Sequence, residues 1–332
     1  MARTFAISIK RMPVGLTASL LAFAPLRLGS HWGSRWFPEN RSRDLRAKQY
    51  RPGMAIVLGL IAAIAWGTGD FTGGLASRKA PETAVVLGTE SVGLVLLLGC
   101  AFFVGGSPTA RDLTFGAVAG LLGVAGLVLL YRGLAQGRAS VVAPLSAVGA
   151  CILQVTWGLA SGEAPGVIAL IGIVLALVSI GVVAGSAAEP VDSSSLSRQQ
   201  EIQCGLGAAV GFGLYLVLIS ETSHDAGLWT AVAARTAPVV LLLVVLSIWR
   251  RPMTVPRAAF GWVTISGVTD AGANARLVAA VRTGLRSVVA PVANLFPAVT
   301  VILARAVGHE KIGRFRLAGL AMAVVSLVLI AL

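Results

Sequence analysis

Ionisable side chains inside long apolar stretches are the first candidates for chemistry in this 332-residue chain. A charge deep in a lipid bilayer costs at least about 2.5–3.5 kcal/mol on insertion scales, so such a residue usually binds something or pairs with another charge. The side chains in question are Asp70, Glu90, Arg235, Asp270 and Arg276. They predict a polar site inside an otherwise apolar protein.

Glu90 and Arg235 have opposite charges and correspond in position between the two halves of the chain. The residue 146 positions after Glu90 is the direct neighbour of Arg235. We expect both to face a central cavity, where they either bind opposite charges of a zwitterionic solute or pair with each other in one conformation. A static ion pair that locks two helices together explains the same residues, and both interpretations stay open.

Asp270 and Asn274 are four residues apart, which places both side chains on one face of a helix. Burial in apolar surroundings favours the protonated form of a carboxyl group. Such a group can load and release a proton near neutral pH, so Asp270 is predicted as a proton-coupling site. The alternative is a hydrogen bond between helices, with Arg276 as the partner of Asp270.

Three further residues complete the set of candidate solute-binding or coupling residues. Asp70 stands in the last third of its apolar stretch, from which it can reach the membrane interface. Asn294 can hydrogen-bond to a solute or to a neighbouring helix. Trp66 can line a cavity, although packing is the more common role for such an indole ring.

The composition excludes an ordinary soluble domain. The chain is 56% hydrophobic and 12% charged, whereas soluble domains carry about 25% charged residues. Too little polar surface exists to cover the apolar side chains, so the lipid bilayer is the expected partner. The net charge of +13 is concentrated in residues 1–53, and no basic face with interleaved aromatic residues occurs, so nucleic-acid binding is not expected.

From Met54 the chain divides into apolar stretches of the length that crosses a hydrocarbon core about 30 Å thick. We place them near 54–76, 83–104, 113–131, 139–160, 166–187, 204–220, 228–249, 259–281, 287–307 and 315–332. Alternating apolar and polar residues are absent, and a lipid-exposed backbone must satisfy its own hydrogen bonds, so these stretches predict α-helices. The expected fold class is an all-α integral membrane protein with ten transmembrane helices.

An internal repeat organises these helices. The pentapeptide SVVAP occurs at Ser140–Pro144 and again at Ser287–Pro291, and Glu163 and Glu310 follow at the same offset of 147 residues. The predicted repeats cover residues 54–187 and 204–332, joined by a polar linker at 188–203. Because each repeat has an odd number of spans, the second must enter the membrane from the opposite side, an arrangement typical of secondary transporters.

Residues 1–53 do not share this pattern. They fit a signal-like segment, with basic residues before an apolar stretch, or sequence upstream of a true start at Met54. We treat them as an extension outside the repeats.

These motifs give the chain a family resemblance over residues 54–332. The segments are Asp270–Asn274 (DAGAN), Ser287–Pro291 (SVVAP), Leu295–Val301 (LFPAVTV), Glu310 and Leu317–Gly319 (LAG), with Ala65–Gly67 (AWG) and Tyr131–Ala135 (YRGLA) in the first repeat. They resemble the EamA-type transporters of the drug/metabolite transporter superfamily. The resemblance implies two inverted five-helix repeats around a central cavity that opens alternately to each side.

The expected function is therefore secondary transport of a small metabolite by alternating access, driven by a proton or solute gradient, in the plasma membrane. No cofactor or metal is expected, and a homodimer is a candidate assembly. The alternative is a membrane-embedded enzyme or assembly factor with a groove between the repeats. Against it, the adjacent residues Ser223, His224 and Asp225 cannot form a catalytic triad by themselves. A phosphate-binding loop of the Walker type is also absent from the sequence, which excludes ATP-driven transport by this chain alone.

Overall fold

The computed structural model describes residues 52–160, 166–185, 196–283, 296–307, 309 and 312–330. The first 51 residues, Asn294 and the second SVVAP segment lie outside this part of the chain, as do Glu163 and Glu310. Predictions that concern them are not addressed by the structure.

The described residues form ten α-helices and contain no β-strand. The helices of the first half are α1 (Pro52–Ser77), α2 (Glu82–Val104), α3 (Ala110–Gln136), α4 (Ala139–Ala160) and α5 (Val167–Gly185). Those of the second half are α6 (Arg198–Ser220), α7 (Trp229–Ile248), α8 (Arg257–Thr283), α9 (Phe296–Ala306) and α10 (Arg314–Ile330). Five of them, α2, α3, α4, α6 and α7, are long and apolar enough to cross a membrane. The predicted all-α class is confirmed.

Two helices begin earlier than their apolar stretches predicted. Helix α6 starts at Arg198 rather than near residue 204, because Ser197 and Gln200 form a capping box in which each side chain binds the backbone N–H of the other. Helix α3 starts at Ala110 through the equivalent box between Thr109 and Asp112. Hydropathy alone misses these polar first turns, since the caps rather than the apolar residues satisfy the free N–H groups.

The helices of the two halves pack against each other in symmetric pairs. The first helix of each half packs against the third helix of the other half, which pairs α1 with α8 and α6 with α3. The second helix of each half also packs against the third helix of the other, and α2 meets α7. The fifth helices, α5 and α10, pack against each other. This pairing is the one that a two-fold relation between the repeats requires.

Glycines on the third helices allow the second helices to approach closely. A methyl group added at Gly267 of α8 would lie 2.7 Å from the carbonyl oxygen of Thr89 on α2. The related Gly120 of α3 packs directly on the carbonyl of Ala234 on α7, where a methyl group would overlap that oxygen. Because Glu90 and Arg235 directly follow the two contacted residues, these approaches fix where both charges stand in the bundle.

The largest buried cluster lies at one end of the bundle, which we call the closed end. Its members include Ala76 at the end of α1, Val86 at the start of α2 and Leu134 at the end of α3. Ala143 of α4 and Leu246 of α7 also belong to it. Buried side chains from both halves therefore pack against one another at this end of the bundle.

Two polar clusters, at opposite ends of the bundle, join α3 and the loop after it to α6 and the loop after it. At the closed end, Arg138 donates to Glu201 from its backbone N–H at 2.9 Å and from Nε at 2.9 Å, and Glu201 is fully buried. At the other end, Asp112 accepts hydrogen bonds from the backbone N–H of Ser223 at 2.7 Å and from its hydroxyl at 2.8 Å. Helices α3 and α6 are thus fixed relative to each other along their length.

Candidate functional site: a charged cavity between the two halves

A cavity of about 230 Å³ lies between the two halves of the bundle. Helices α1–α4 and α6–α9 all contribute residues to its wall. Gln154 near the end of α4 and Tyr215 near the end of α6 extend this wall away from the closed end. The cavity therefore lies between the middle of the bundle and the end opposite the closed end.

Arg235 connects two carboxylates in the wall of this cavity. Its Nη1 lies 3.0 Å from Oε2 of Glu90, and its Nη2 contacts Oδ2 of Asp270. The side chains of Arg235 and Glu90 are each 10% exposed and that of Asp270 is 32% exposed. Since Glu90 belongs to the first half and Asp270 to the second, a single guanidinium group joins the halves across the cavity wall.

The space for this guanidinium group is provided by a glycine on α2. A methyl group at Gly93 would lie 3.0 Å from Nη1 of Arg235 and about as close to its Nε. Gly93 follows Glu90 by three residues, so both lie on the face of α2 that meets α7. Helix α2 thus supplies the carboxylate and also the room in which its partner lies.

Aromatic residues form a second part of the cavity wall. Trp66 and Phe296 meet edge to face, with ring centroids 6.1 Å apart and an angle of 71° between the rings. Phe212 and Tyr215 on α6 also line the cavity. Phe212 follows Trp66 by 146 residues, so the two halves contribute an aromatic ring from the same position of their first helix.

Hydroxyl groups hold α1 in place behind the cavity. The Tyr131 hydroxyl lies 2.7 Å from Oγ of Ser266, which in turn donates to the carbonyl oxygen of Gly69 at 2.9 Å. Oγ1 of Thr300 lies 3.2 Å from the carbonyl oxygen of Gly67 and donates to it. These bonds connect α1 to α3, α8 and α9 at the level of Trp66 and Asp70, and so position both side chains.

The EamA-like transporter family matches this chain over residues 53–185 and again over residues 200–332. Together these matches cover most of the chain. The chain belongs to the EamA-like transporter family. It is accordingly a multi-pass membrane protein of a family whose members are generally transporters.

Two further similarities were found. The EamA-like chain is similar to the uncharacterized protein MJ1333.1 of Methanocaldococcus jannaschii, with 32% identity over 127 residues that cover 38% of this chain and 93% of the relative. The relative is thus about as long as one of the two family matches. A solved crystal structure shares the fold, with a TM-score of 0.57 and 13% identity over 83% of this chain and 96% of the other.

The structure of this EamA-like chain brings most of the predicted site residues together. Trp66, Asp70, Glu90, Arg235, Asp270 and Asn274 all line the cavity. Asp70 therefore lies at the cavity, and the ion-pair partner of Asp270 is Arg235 rather than Arg276. The amide of Asn274 donates to the carbonyl oxygen of Asp270 at 2.9 Å, one turn back on its own helix.

Other residues in and behind the cavity wall were missed by the sequence reasoning. Tyr215 lies three residues after Phe212 on α6, which is the only signal that could have placed it on the same helix face. Ser266 and Thr300 carry no charge and gave no signal at all, since hydroxyl groups are common in membrane helices. Their role depends on which carbonyl oxygens lie opposite them.

Proposed function

We propose that this protein is a secondary transporter that moves a small metabolite across the plasma membrane by alternating access. In this proposal all ten helices span the bilayer, as two inverted repeats that correspond to α1–α5 and α6–α10. The family membership and the helical fold support it. The single observation that supports it most is the cavity between the halves, with Arg235 joining charges of both.

The bridge by Arg235 suggests how a solute changes the packing of the halves. Glu90, in the first half, is held by Arg235 at 3.0 Å, and Asp270, in the second half, contacts the same guanidinium group. A solute that offers its own charge to any of these groups weakens the bridge between the halves. A ligand shifts a conformational equilibrium by its difference in affinity for the two states, and this bridge is where that difference arises.

The energy for transport comes, in our proposal, from a proton or solute gradient rather than from a bound cofactor. Asp270 is the proposed proton-coupling group, because it is a carboxyl group that lines the cavity at the centre of α8. Asp270→Asn should then abolish the response of uptake to a pH gradient while uptake down a solute gradient continues. A full response of Asp270→Asn to the pH gradient would remove Asp270 from the coupling step.

Because the solute is unidentified, the test of transport should be unbiased. Proteoliposomes loaded with a cellular metabolite extract are diluted into buffer, and the solutes that leave are identified by mass spectrometry. We expect at least one solute to leave faster than from protein-free liposomes and unchanged in mass. Efflux equal to that of protein-free liposomes would contradict the proposal, and formation of a new compound would favour a membrane enzyme instead.

The control for this assay is a variant with an altered charge outside the cavity. Glu221→Gln is suitable, because the Glu221 side chain is 38% exposed and its ion pair with the exposed Arg111 is long, at 4.0 Å. Solute efflux from proteoliposomes with this variant should equal that of the unaltered protein.

The mass of the detergent-solubilised protein, measured by light scattering before reconstitution, tests whether the chain forms a homodimer.

A further inference from the structure

We propose that the solute of this cavity is a small organic cation with an apolar body, held at Asp70 beside the ring of Trp66. The inference rests on the proposed function and specifies its substrate class. It follows from the charge balance of the cavity, from the surroundings of Asp70 and from the aromatic residues one turn away.

The described residues that line the cavity include more acidic than basic side chains. Among the described lining residues, Asp70, Glu90 and Asp270 are carboxylic acids and Arg235 is the single cationic side chain. Opposite charges in poorly solvated surroundings attract strongly, and like charges repel by the same amount. The cavity wall therefore favours a cation over an anion of the same size.

Asp70 is the acid that a cation can reach without breaking an existing pair. Arg235 lies between Glu90 and Asp270 and contacts both, whereas Asp70 has no ion-pair partner within the described parts of the chain. An anionic solute would instead have to take Arg235 from two carboxylates that already hold it. The arrangement favours binding of positive charge at Asp70.

Aromatic rings stand where the body of such a cation would lie. Trp66 precedes Asp70 by four residues, hence by one turn of α1, and its ring meets that of Phe296. Cations are attracted to the faces of aromatic rings, most strongly to tryptophan. The remaining wall is mainly apolar, with Val124 and Leu127 on α3 as examples. A cavity of about 230 Å³ restricts the solute to a small molecule.

Three benzyl compounds with the same number of non-hydrogen atoms test the substrate class. They are benzyltrimethylammonium, a cation, N-benzylacetamide, which is neutral, and benzylphosphonate, an anion. Binding is measured by isothermal titration calorimetry on the full-length protein in detergent, with empty micelles as the blank. We expect the cation to bind at least about tenfold more tightly than either other compound.

Two variants and one control locate the binding to Asp70 and Trp66. Asp70→Asn keeps the shape of the side chain and should weaken cation binding at least about tenfold. Trp66→Leu keeps an apolar side chain and should weaken it about threefold to tenfold, through loss of the cation–π contact. Glu221→Gln removes a carboxylate outside the cavity and should bind the cation unchanged. Gel filtration confirms that each variant is folded.

The outcomes separate this inference from the proposed function. Equal or tighter binding of the neutral or anionic compound, unchanged cation binding by Asp70→Asn, or no binding of any compound would each overturn the cation site. Cation binding without flux of any solute from proteoliposomes would support the cation site and contradict transport. Flux of a neutral or anionic metabolite without cation binding would support transport and contradict the cation site.

Discussion

Replacing Arg235 by glutamine should destabilise the protein more than removing any other single charge in the cavity. The substitution leaves Glu90, whose side chain is 10% exposed, without the cation that lies 3.0 Å away. It also removes the cation that contacts Asp270. The two carboxylates then face the cavity without compensation, in a wall that already holds the carboxyl group of Asp70.

The size of the effect follows from burial. Removing one partner of a buried ion pair costs about 3–5 kcal/mol, because an uncompensated charge remains in poorly solvated surroundings. Glu90 meets this condition, whereas Asp270, whose side chain is 32% exposed, is partly solvated and adds less. We therefore expect a loss of about 3 kcal/mol, which lowers the folding equilibrium constant on the order of a hundredfold.

Charge balance also predicts a ranking among the variants. In Glu90→Gln, Arg235 keeps its contact with Asp270 and one charged hydrogen bond is lost, so the cost should be only about 1.5–3 kcal/mol. The triple variant Glu90→Gln, Arg235→Gln, Asp270→Asn contains no charge in this cluster and should recover much of the stability lost in Arg235→Gln. Acidic pH should partly rescue Arg235→Gln as well, because protonated carboxyl groups need no counter-charge.

Reversible unfolding of the purified protein in mixed micelles measures these differences. Arg111→Gln is the matched control, since Arg111 is 66% exposed and 4.0 Å from Glu221; its loss should stay below about 1 kcal/mol. The reasoning would be refuted if Arg235→Gln were as stable as the unaltered protein. A larger loss in Glu90→Gln than in Arg235→Gln would refute it equally.

The remaining predictions concern residues outside the cluster of Arg235. Arg138→Gln should cost about 3–5 kcal/mol, because Glu201 is fully buried, yet the folded fraction should bind solute normally in calorimetry. Gly120→Val should displace α7 from α3, because a side chain there overlaps a backbone carbonyl, and solute flux should be lost even where the protein folds. Tyr131→Phe removes one hydrogen bond to Ser266 and should cost about 1 kcal/mol; a cost near zero would show that this bond does not help to hold α3 against α8.

The fold was largely predictable because the same pattern of apolar stretches occurs in both halves of the sequence. Long apolar stretches indicate membrane helices, and the repeated SVVAP pentapeptide set the correspondence between the halves. That correspondence also related Glu90 to Arg235, and in the structure each follows a residue that packs on a glycine of the other half. The polar starts of α3 and α6 were missed, since hydropathy does not register caps.

The ion pairs and hydrogen bonds of the site were less predictable than the residues that form it. The sequence placed Asp270 near Arg276, which is six residues away, while the structure pairs it with Arg235 on another helix. Positions within one helix fix which residues share a face, but they do not fix which neighbouring helix that face meets. For the same reason the position of Asp70 at the cavity, and the hydroxyl bonds from Ser266 to α1, required the packed bundle.

Accessibility of the closed end during transport tests the central claim most directly. Ala143 is fully buried in the closed-end cluster, so Ala143→Cys, in a chain whose native Cys100, Cys151 and Cys204 are replaced, reports whether that end opens. Ser107→Cys in an exposed loop is the labelling control. Alternating access predicts that a small thiol reagent leaves Ala143→Cys unmodified without solute and modifies it progressively during solute flux. Continued flux with the introduced thiol protected throughout would contradict it.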